Sequence, residues 1–137
     1  MRRNCEHRLP SRRHPDNPLS RRGTNLDQTR NEHDPPVTDS METLFKLLKE
    51  ENNAAVRAVL GHFIFVYIHP YMDGNGRTGR FLMNLMMISG GYNWTVIRVE
   101  RRKEYMEALE QASVHENIVP FTKVILSEMH HWKQLAQ

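Results

Sequence analysis

Between residues 69 and 80 the chain reads His69-Pro70-Tyr71-Met72-Asp73-Gly74-Asn75-Gly76-Arg77-Thr78-Gly79-Arg80, gathering a candidate base, a carboxylate, a glycine loop and two guanidinium groups into twelve residues. Gly74 and Gly76 can adopt backbone conformations closed to other residues, so successive N–H groups can converge on an anion, and Asn75 adds a side-chain amide. A helix that starts just after the loop brings its first-turn N–H groups and the positive end of its dipole to the same spot, which favours a phosphate. Arg77 and Arg80 are three residues apart and so neighbours on one helical face, where two guanidinium forks can each grip phosphate oxygens; Thr78 and Gly79 between them are counted with the same cradle. Asp73 at the edge of an anion site calls for a cation, and Mg²⁺ commonly joins one or two carboxylates to phosphate oxygens and water. His69 carries the one side chain whose unperturbed pKa lies near neutrality, so it can take a proton from an incoming hydroxyl. Gly-Asn-Gly alone is an ordinary turn; its concentration with these groups argues for chemistry.

The elements that must position these groups are helices. A long apolar stripe from about Asn53 to Ile68 (Val56, Val59, Leu60, Phe63, Ile64, Tyr67) predicts a central helix ended by Pro70, which pushes His69 out of helical geometry. After the loop, Arg77 to Ser89 repeats Phe81, Leu82, Leu85, Met86 and Ile88 at helical spacing until Gly90-Gly91 stops it. Upstream, Ser40 with Glu42 and Thr43 ahead of Leu44, Phe45, Leu47 and Leu48 reads as a capped helix start, and Asp34-Pro35-Pro36-Val37-Thr38 before it reads as extended, a surface loop, lid or short edge strand. Residues 92 to 99 are rich in β-branched side chains but lack an obvious partner strand, and are taken as a loop. Two further helices are expected, about Arg101 to Ser113 with Tyr105, Met106, Ala108 and Leu109 inward, and about Pro120 to Trp132 with Phe121, Val124, Ile125, Leu126 and Met129 inward. His62, one heptad before His69, reads as a packed histidine rather than a metal ligand, His130-His131 as surface residues, and Met83, Met86 and Met87 as core filler. The expected fold class is all-α, a compact bundle with a small extended flap or β-hairpin near the loop.

At 137 residues the chain suits one domain. Its net charge of +3 is unevenly placed: residues 1 to 22 hold seven arginines against Glu6 and Asp16, a net of +5, which leaves −2 for the rest. That Arg-, Pro- and Ser-rich stretch is too poor in large apolar residues to offset the entropy of ordering it, so residues 1–30 are expected to be a disordered basic tail and 31–137 the folded core. The basic character therefore belongs to the tail, which argues against nucleic acid as the main partner. Cys5 has neither a pairing partner nor zinc-site spacing, and no run approaches the ~20 apolar residues of a membrane span, so a cytoplasmic protein without membrane contact is expected.

The run from His69 to Arg80 resembles the signature of the Fic (Fic/Doc) family: a histidine, an aromatic two residues on, an acidic residue two further, then Gly-Asn-Gly-Arg and a second arginine three later. The similarity extends from about Asp34 to about Leu126, with Arg80-Phe81-Leu82-Met83-Asn84 continuing the motif helix. The resemblance implies protein adenylylation: transfer of AMP from ATP, with Mg²⁺, to a Ser, Thr or Tyr hydroxyl of a target protein, releasing pyrophosphate. On that basis His69 is the base, Asp73 the Mg²⁺ ligand, Gly74 to Gly76 the nest for the α- and β-phosphates, and Arg77 and Arg80 the grip on the β- and γ-phosphates. Tyr105, Met106 and Ser113 lie where relatives line the adenine pocket, and Pro35 to Thr38 occupy the place of the family's flap, which aligns the target by strand pairing.

Three departures qualify the resemblance. Tyr71 stands in place of the usual phenylalanine, and only the arginine-rich tail precedes the flap where many relatives have extra helices. The inhibitory motif of relatives, Ser or Thr, three residues, then Glu and Gly or Asn, is not found: Glu116-Asn117 has the ending, but Ala112 stands at the Ser/Thr position. The chain is thus expected either to be constitutively active or to answer to a separate inhibitor protein, and a homo-oligomer is compatible with the reading. The alternatives carried forward are transfer or removal of another nucleotide or phosphate group, a non-catalytic nucleotide- or partner-binding remnant, and an Arg-tail nucleic-acid binder.

Overall fold

The computed structural model describes residues 35–136. The arginine-rich stretch, Cys5 and Asp34 lie outside the described residues. Five helices follow one another: α1 (Val37–Glu50), α2 (Ala54–Ile68), α3 (Asn75–Ser89), α4 (Arg102–Val114), preceded by a 3₁₀ turn at Val99–Arg101, and α5 (Val119–Leu135). No strand occurs among the described residues, in keeping with the all-α expectation and without the small hairpin.

Helix α2 is the hub, packed against α1, α3 and α4, with its most extensive contact along α3. Asn53 caps it, the side-chain oxygen accepting from the N–H groups of Ala55 (3.0 Å) and Val56 (3.3 Å), so the start falls where the apolar repeat begins. Ala58, Val59, Gly61, His62 and Phe65 are buried, whereas Val56, Leu60 and Tyr67 reach solvent. The core unites Ala58 and Val59 with Met83, Met86 and Met87 of α3, Tyr105 and Ala108 of α4 and Phe121, Val124 and Ile125 of α5. The methionine cluster is core filler as expected, its flexible thioethers filling the seam between α2 and α3.

The structure corrects the sequence reading at three places. Helix α1 begins at Val37, not Ser40: Pro36 is its N-cap, its carbonyl accepting from Ser40 N–H at 3.0 Å, so Val37 and Thr38, expected in an extended flap, are helical. A proline just ahead of the first turn gives up no hydrogen bond there, because that turn's N–H groups lack intrahelical partners anyway. Helix α3 begins two residues early, at Asn75. On α3 the repeat of Phe81, Leu85 and Ile88 lies about half exposed, while Gly79, Met83, Asn84, Met86 and Met87 are buried. Met106 on α4 and Leu126 on α5 also face outward rather than into the core.

The β-branched segment 92–98 is held by side chains in place of a partner strand. Asn84 acts as a one-residue strand edge, its Oδ1 accepting from Thr95 N–H (2.7 Å) and its Nδ2 donating to Thr95 C=O (2.9 Å). Trp132 Nε1 donates to the Val96 carbonyl at 2.7 Å. Arg98 and Arg101 close the segment onto α5 through the fully buried Glu128, with ion-pair distances of 3.0 and 3.2 Å. Burial pushes the Glu128 carboxyl up, but the bonds from Arg98 and Arg101 outweigh burial and hold it below the usual carboxylate range.

Two predictions follow from this core. Glu128→Ala leaves two guanidinium groups without their buried acceptor and should lower the unfolding free energy by about 3 kcal/mol in urea titrations; a loss under about 1 kcal/mol would mean that Arg98 and Arg101 rehydrate freely. The second concerns His62, fully buried and pushed down to about 4, chiefly by burial, with the Gly79 backbone opposing and the Arg80 charge assisting. Its folded pKa lies below the unfolded value of 6.5, so the unfolded chain binds the extra proton first. The contribution of His62 is complete above pH ~6.5 and is lost as pH falls toward ~4, amounting to about 3 kcal/mol. His62→Gln should flatten the stability-versus-pH curve across that window, and an unchanged slope would contradict the assignment.

Candidate functional site

The site lies where α2 ends and α3 begins. His69, the C-cap of α2, adopts a left-handed conformation (φ 54°, ψ 57°) while its N–H still donates to Phe65 C=O at 3.1 Å. Pro70 forbids continuation of the right-handed helix, and the left-handed cap turns the chain into the loop. A non-glycine residue with positive φ costs about 1 kcal/mol or more, so the surrounding structure must hold this conformation in place. His69 Nδ1 is buried without a hydrogen-bond partner. The other ring nitrogen, Nε2, is the one solvent or substrate can reach.

The loop closes on itself through Asn75. This residue is buried, its Oδ1 accepting from Tyr71 N–H (3.0 Å) and its Nδ2 donating to Tyr71 C=O (2.6 Å). The amide expected to face an anion is therefore engaged in bracing the loop. Gly74 takes the left-handed conformation (φ 81°) that begins α3, and its carbonyl accepts the helix's first bond, from Thr78 N–H at 2.9 Å. Gly76, by contrast, is an ordinary first-turn residue; its missing side chain provides room, since a Cβ there would lie 3.3 Å from Arg80 Nη1. The first-turn N–H groups of Asn75, Gly76 and Arg77 have no intrahelical acceptor and point out of the helix end.

Around this end stand the charged groups. Asp73 is almost fully exposed, its Oδ1 accepting from Gly74 N–H at 2.7 Å and its Oδ2 lying 3.6 Å from the exposed but less open Arg77. Such a pair contributes little to stability, which leaves both side chains available for a ligand. Arg80 is half-buried, with its guanidinium carbon 5.9 Å above the centre of the Tyr105 ring, and it forms no ion pair with an acid among the described residues. Glu116, which carries the ending of the relatives' inhibitory motif, sits in the α4–α5 turn with a positive φ of 52°.

The remaining expected site residues divide. His69, Asp73, Gly74, Asn75, Gly76, Arg77 and Arg80 come together at the α2–α3 junction. Thr78 is exposed on the first turn, and Gly79 faces the core, where a Cβ would meet His62 Nδ1 at 2.8 Å and Val66 Cγ2 at 2.9 Å. Tyr105, expected to line an adenine pocket, is 3% exposed, with its hydroxyl 2.7 Å from His62 Nε2 and its ring tilted against Phe121. Burial pushes its phenol up, opposed by the positive charge of Arg80. Met106 is exposed, and Ser113, whose Oγ donates to Glu110 C=O, lies about 12 Å further along α4. The sequence reading missed the link from His62 through Tyr105 to Arg80, which no local spacing announces because it joins residues from three helices. A groove of about 480 Å³ between α4 and α5 is lined by Glu104, Glu107 and Glu110 against Lys123 alone among cations, a charge balance that repels polyphosphate.

Chemically, the junction offers a helix N-terminus, two arginines without buried acid partners among the described residues, one exposed carboxylate and a histidine. The donor set suits an anion of several phosphate groups. No group of three His, Cys, Asp or Glu side chains able to cage a metal occurs among the described residues, but a single exposed carboxylate of hard oxygen suits Mg²⁺ bound jointly with phosphate. No helix of the described residues is long and apolar enough to cross a membrane.

Comparison with known proteins points the same way. The Fic/DOC family model matches residues 7–87. The protein adenylyltransferase Fic of Nematostella vectensis is 46% identical over 68 residues, 50% of this chain and 16% of that protein. The protein adenylyltransferase fic-1 of Caenorhabditis elegans is 32% identical over 93 residues (65% and 18%), and the protein adenylyltransferase Fic of Drosophila ananassae 35% over 89 (62% and 18%). The chain spans less than a fifth of the length of these relatives. With the match covering more than half of the chain and including the whole junction of α2, loop and α3, the chain belongs to the Fic/DOC family.

Proposed function

We infer that this chain transfers AMP from ATP to a hydroxyl of a protein. The observation that carries the reading is the junction itself: the open N-terminus of α3, with Arg77 and Arg80 in its first turns and His69 at the end of α2 before the loop, in a chain similar to proteins named protein adenylyltransferases. The first-turn N–H groups of α3 receive phosphate oxygens of ATP, and Arg77 and Arg80 hold those further out. His69 Nε2 takes the proton of a Ser, Thr or Tyr hydroxyl as its oxygen bonds to the α-phosphorus. The bond from that phosphorus to the bridging oxygen breaks, and pyrophosphate leaves carrying the electron pair. Asp73 would hold Mg²⁺, which when bound neutralises phosphate charge. Asn75 keeps the loop braced so that Gly74 and the α3 terminus do not have to reorganise on binding, which is where electrostatic stabilisation gains its strength. The protein acceptor, ATP as donor and any separate inhibitor are partners of this reading.

The test is incubation of the full chain with Mg²⁺, ATP labelled at the α-phosphate and a cell lysate as the source of acceptors. Label should appear on protein, and His69→Ala should reduce it by at least 10²-fold while leaving ATP affinity within a factor of about three. Equal labelling by the His69→Ala variant would remove His69 as the base. A folded protein that labels nothing would overturn AMP transfer.

A further inference from the structure

Arginine in a phosphate site faces a conflict. Its long side chain must be held in place, yet a carboxylate partner would occupy its N–H donors and cancel the charge that the phosphate needs. An aromatic face resolves this, because it attracts the guanidinium plane through the ring quadrupole while leaving the five N–H donors at the rim free. Arg80 has such an arrangement. Its guanidinium carbon lies 5.9 Å above the Tyr105 ring centre, it has no acidic partner among the described residues, and Nη1 reaches the space left by the absent side chain of Gly76 in the first turn of α3.

The ring is itself fixed. Tyr105 is 3% exposed, its ring centre 6.0 Å from that of Phe121, and its hydroxyl pairs with His62 Nε2 at 2.7 Å. His62 in turn stacks on Phe121 (5.4 Å between ring centres) and fits against Gly79 of the same helix that carries Arg80. The chain of contacts thus runs from α2 through α4 to α3. On the reading that Arg80 grips phosphate, we propose that Tyr105, anchored by His62, is a positioning residue that holds Arg80 across the first turn of α3 with its donors free for the polyphosphate end of the nucleotide. Burial keeps His62 neutral near pH 7, so it anchors Tyr105 without repelling Arg80.

A double-mutant cycle on the full chain tests this, with equilibrium binding of Mg²⁺–ATP and of AMP to the unmodified protein, Arg80→Ala, Tyr105→Leu and the double variant. AMP lacks the outer phosphates and serves as the control for pocket integrity. Tyr105→Leu should weaken ATP about five- to tenfold, leave AMP within twofold, and have no further effect in the Arg80→Ala background. If Tyr105→Leu fails to fold by circular dichroism, Tyr105→Phe replaces it in the same cycle; loss of the hydroxyl that His62 anchors should weaken ATP about threefold, again only when Arg80 is present. Weakening of ATP and AMP alike, or an equal loss with and without Arg80, would make Tyr105 a merely structural residue and overturn the proposal. An unmodified protein that does not bind ATP, or an Arg80→Ala variant that binds it unchanged, would instead overturn the phosphate-grip reading on which it rests.

Discussion

Everything at the α2–α3 junction depends on how closely these two helices approach, and that distance is set where His62 meets Gly79. A Cβ at residue 79 would lie 2.8 Å from His62 Nδ1, too close for any real contact, so glycine is the residue that lets a whole imidazole lie between the helices. His62 lies two turns before His69 on α2, and Gly79 one turn into α3. The contact therefore fixes how the C-terminal end of one helix faces the N-terminal end of the other, which is the relation between His69 and the first turn of α3. The buried imidazole is held by Tyr105, which pairs with Nε2, and by Phe121, which stacks on its face, while Nδ1, against Gly79, has no hydrogen-bond partner.

Within the loop, structural and chemical duties fall on different residues. Asn75 is fully engaged with the Tyr71 backbone, Gly74 supplies the left-handed turn, and Gly76 supplies space for Arg80. The groups left over for a ligand are the first-turn N–H groups of α3 and the side chains of Asp73, Arg77, Arg80 and His69. A braced backbone carrying exposed charges is the combination expected of a preorganised anion site, in which side chains respond to the ligand and the backbone does not.

Much of this was legible in the sequence, for identifiable reasons. Helix α2 was readable because a proline stop ends a continuous apolar run, and the loop because its residue types are concentrated. The start of α1 was not, since Pro36 serves as N-cap where the Ser40 pattern suggested a better one. The core-facing methionines of α3 were readable as filler, whereas the helical repeat of Phe81, Leu85 and Ile88 alone did not say which stripe faces inward, because both stripes are apolar; Met83 and Met87 share the buried face with Gly79 and Asn84. Segment 92–98 has strand-like residues without a strand, since its pairing partners are the side chains of Asn84, Trp132 and Glu128, from remote positions. Tyr105 illustrates the limit most clearly: its inward place on α4 was expected, but its contacts with His62 and Arg80 arise only when three helices meet.

The central claim is that polyphosphate binds at the N-terminus of α3. It is tested most directly by titrating isotope-labelled protein with Mg²⁺–ATP and following backbone amide shifts by NMR. The account predicts that the largest shifts fall on the amides of Asn75, Gly76 and Arg77, with smaller ones at Asp73 and Arg80. Largest shifts along the acidic groove between α4 and α5, at Glu107, Gln111 and Lys123, with the α3 amides unmoved, would contradict it.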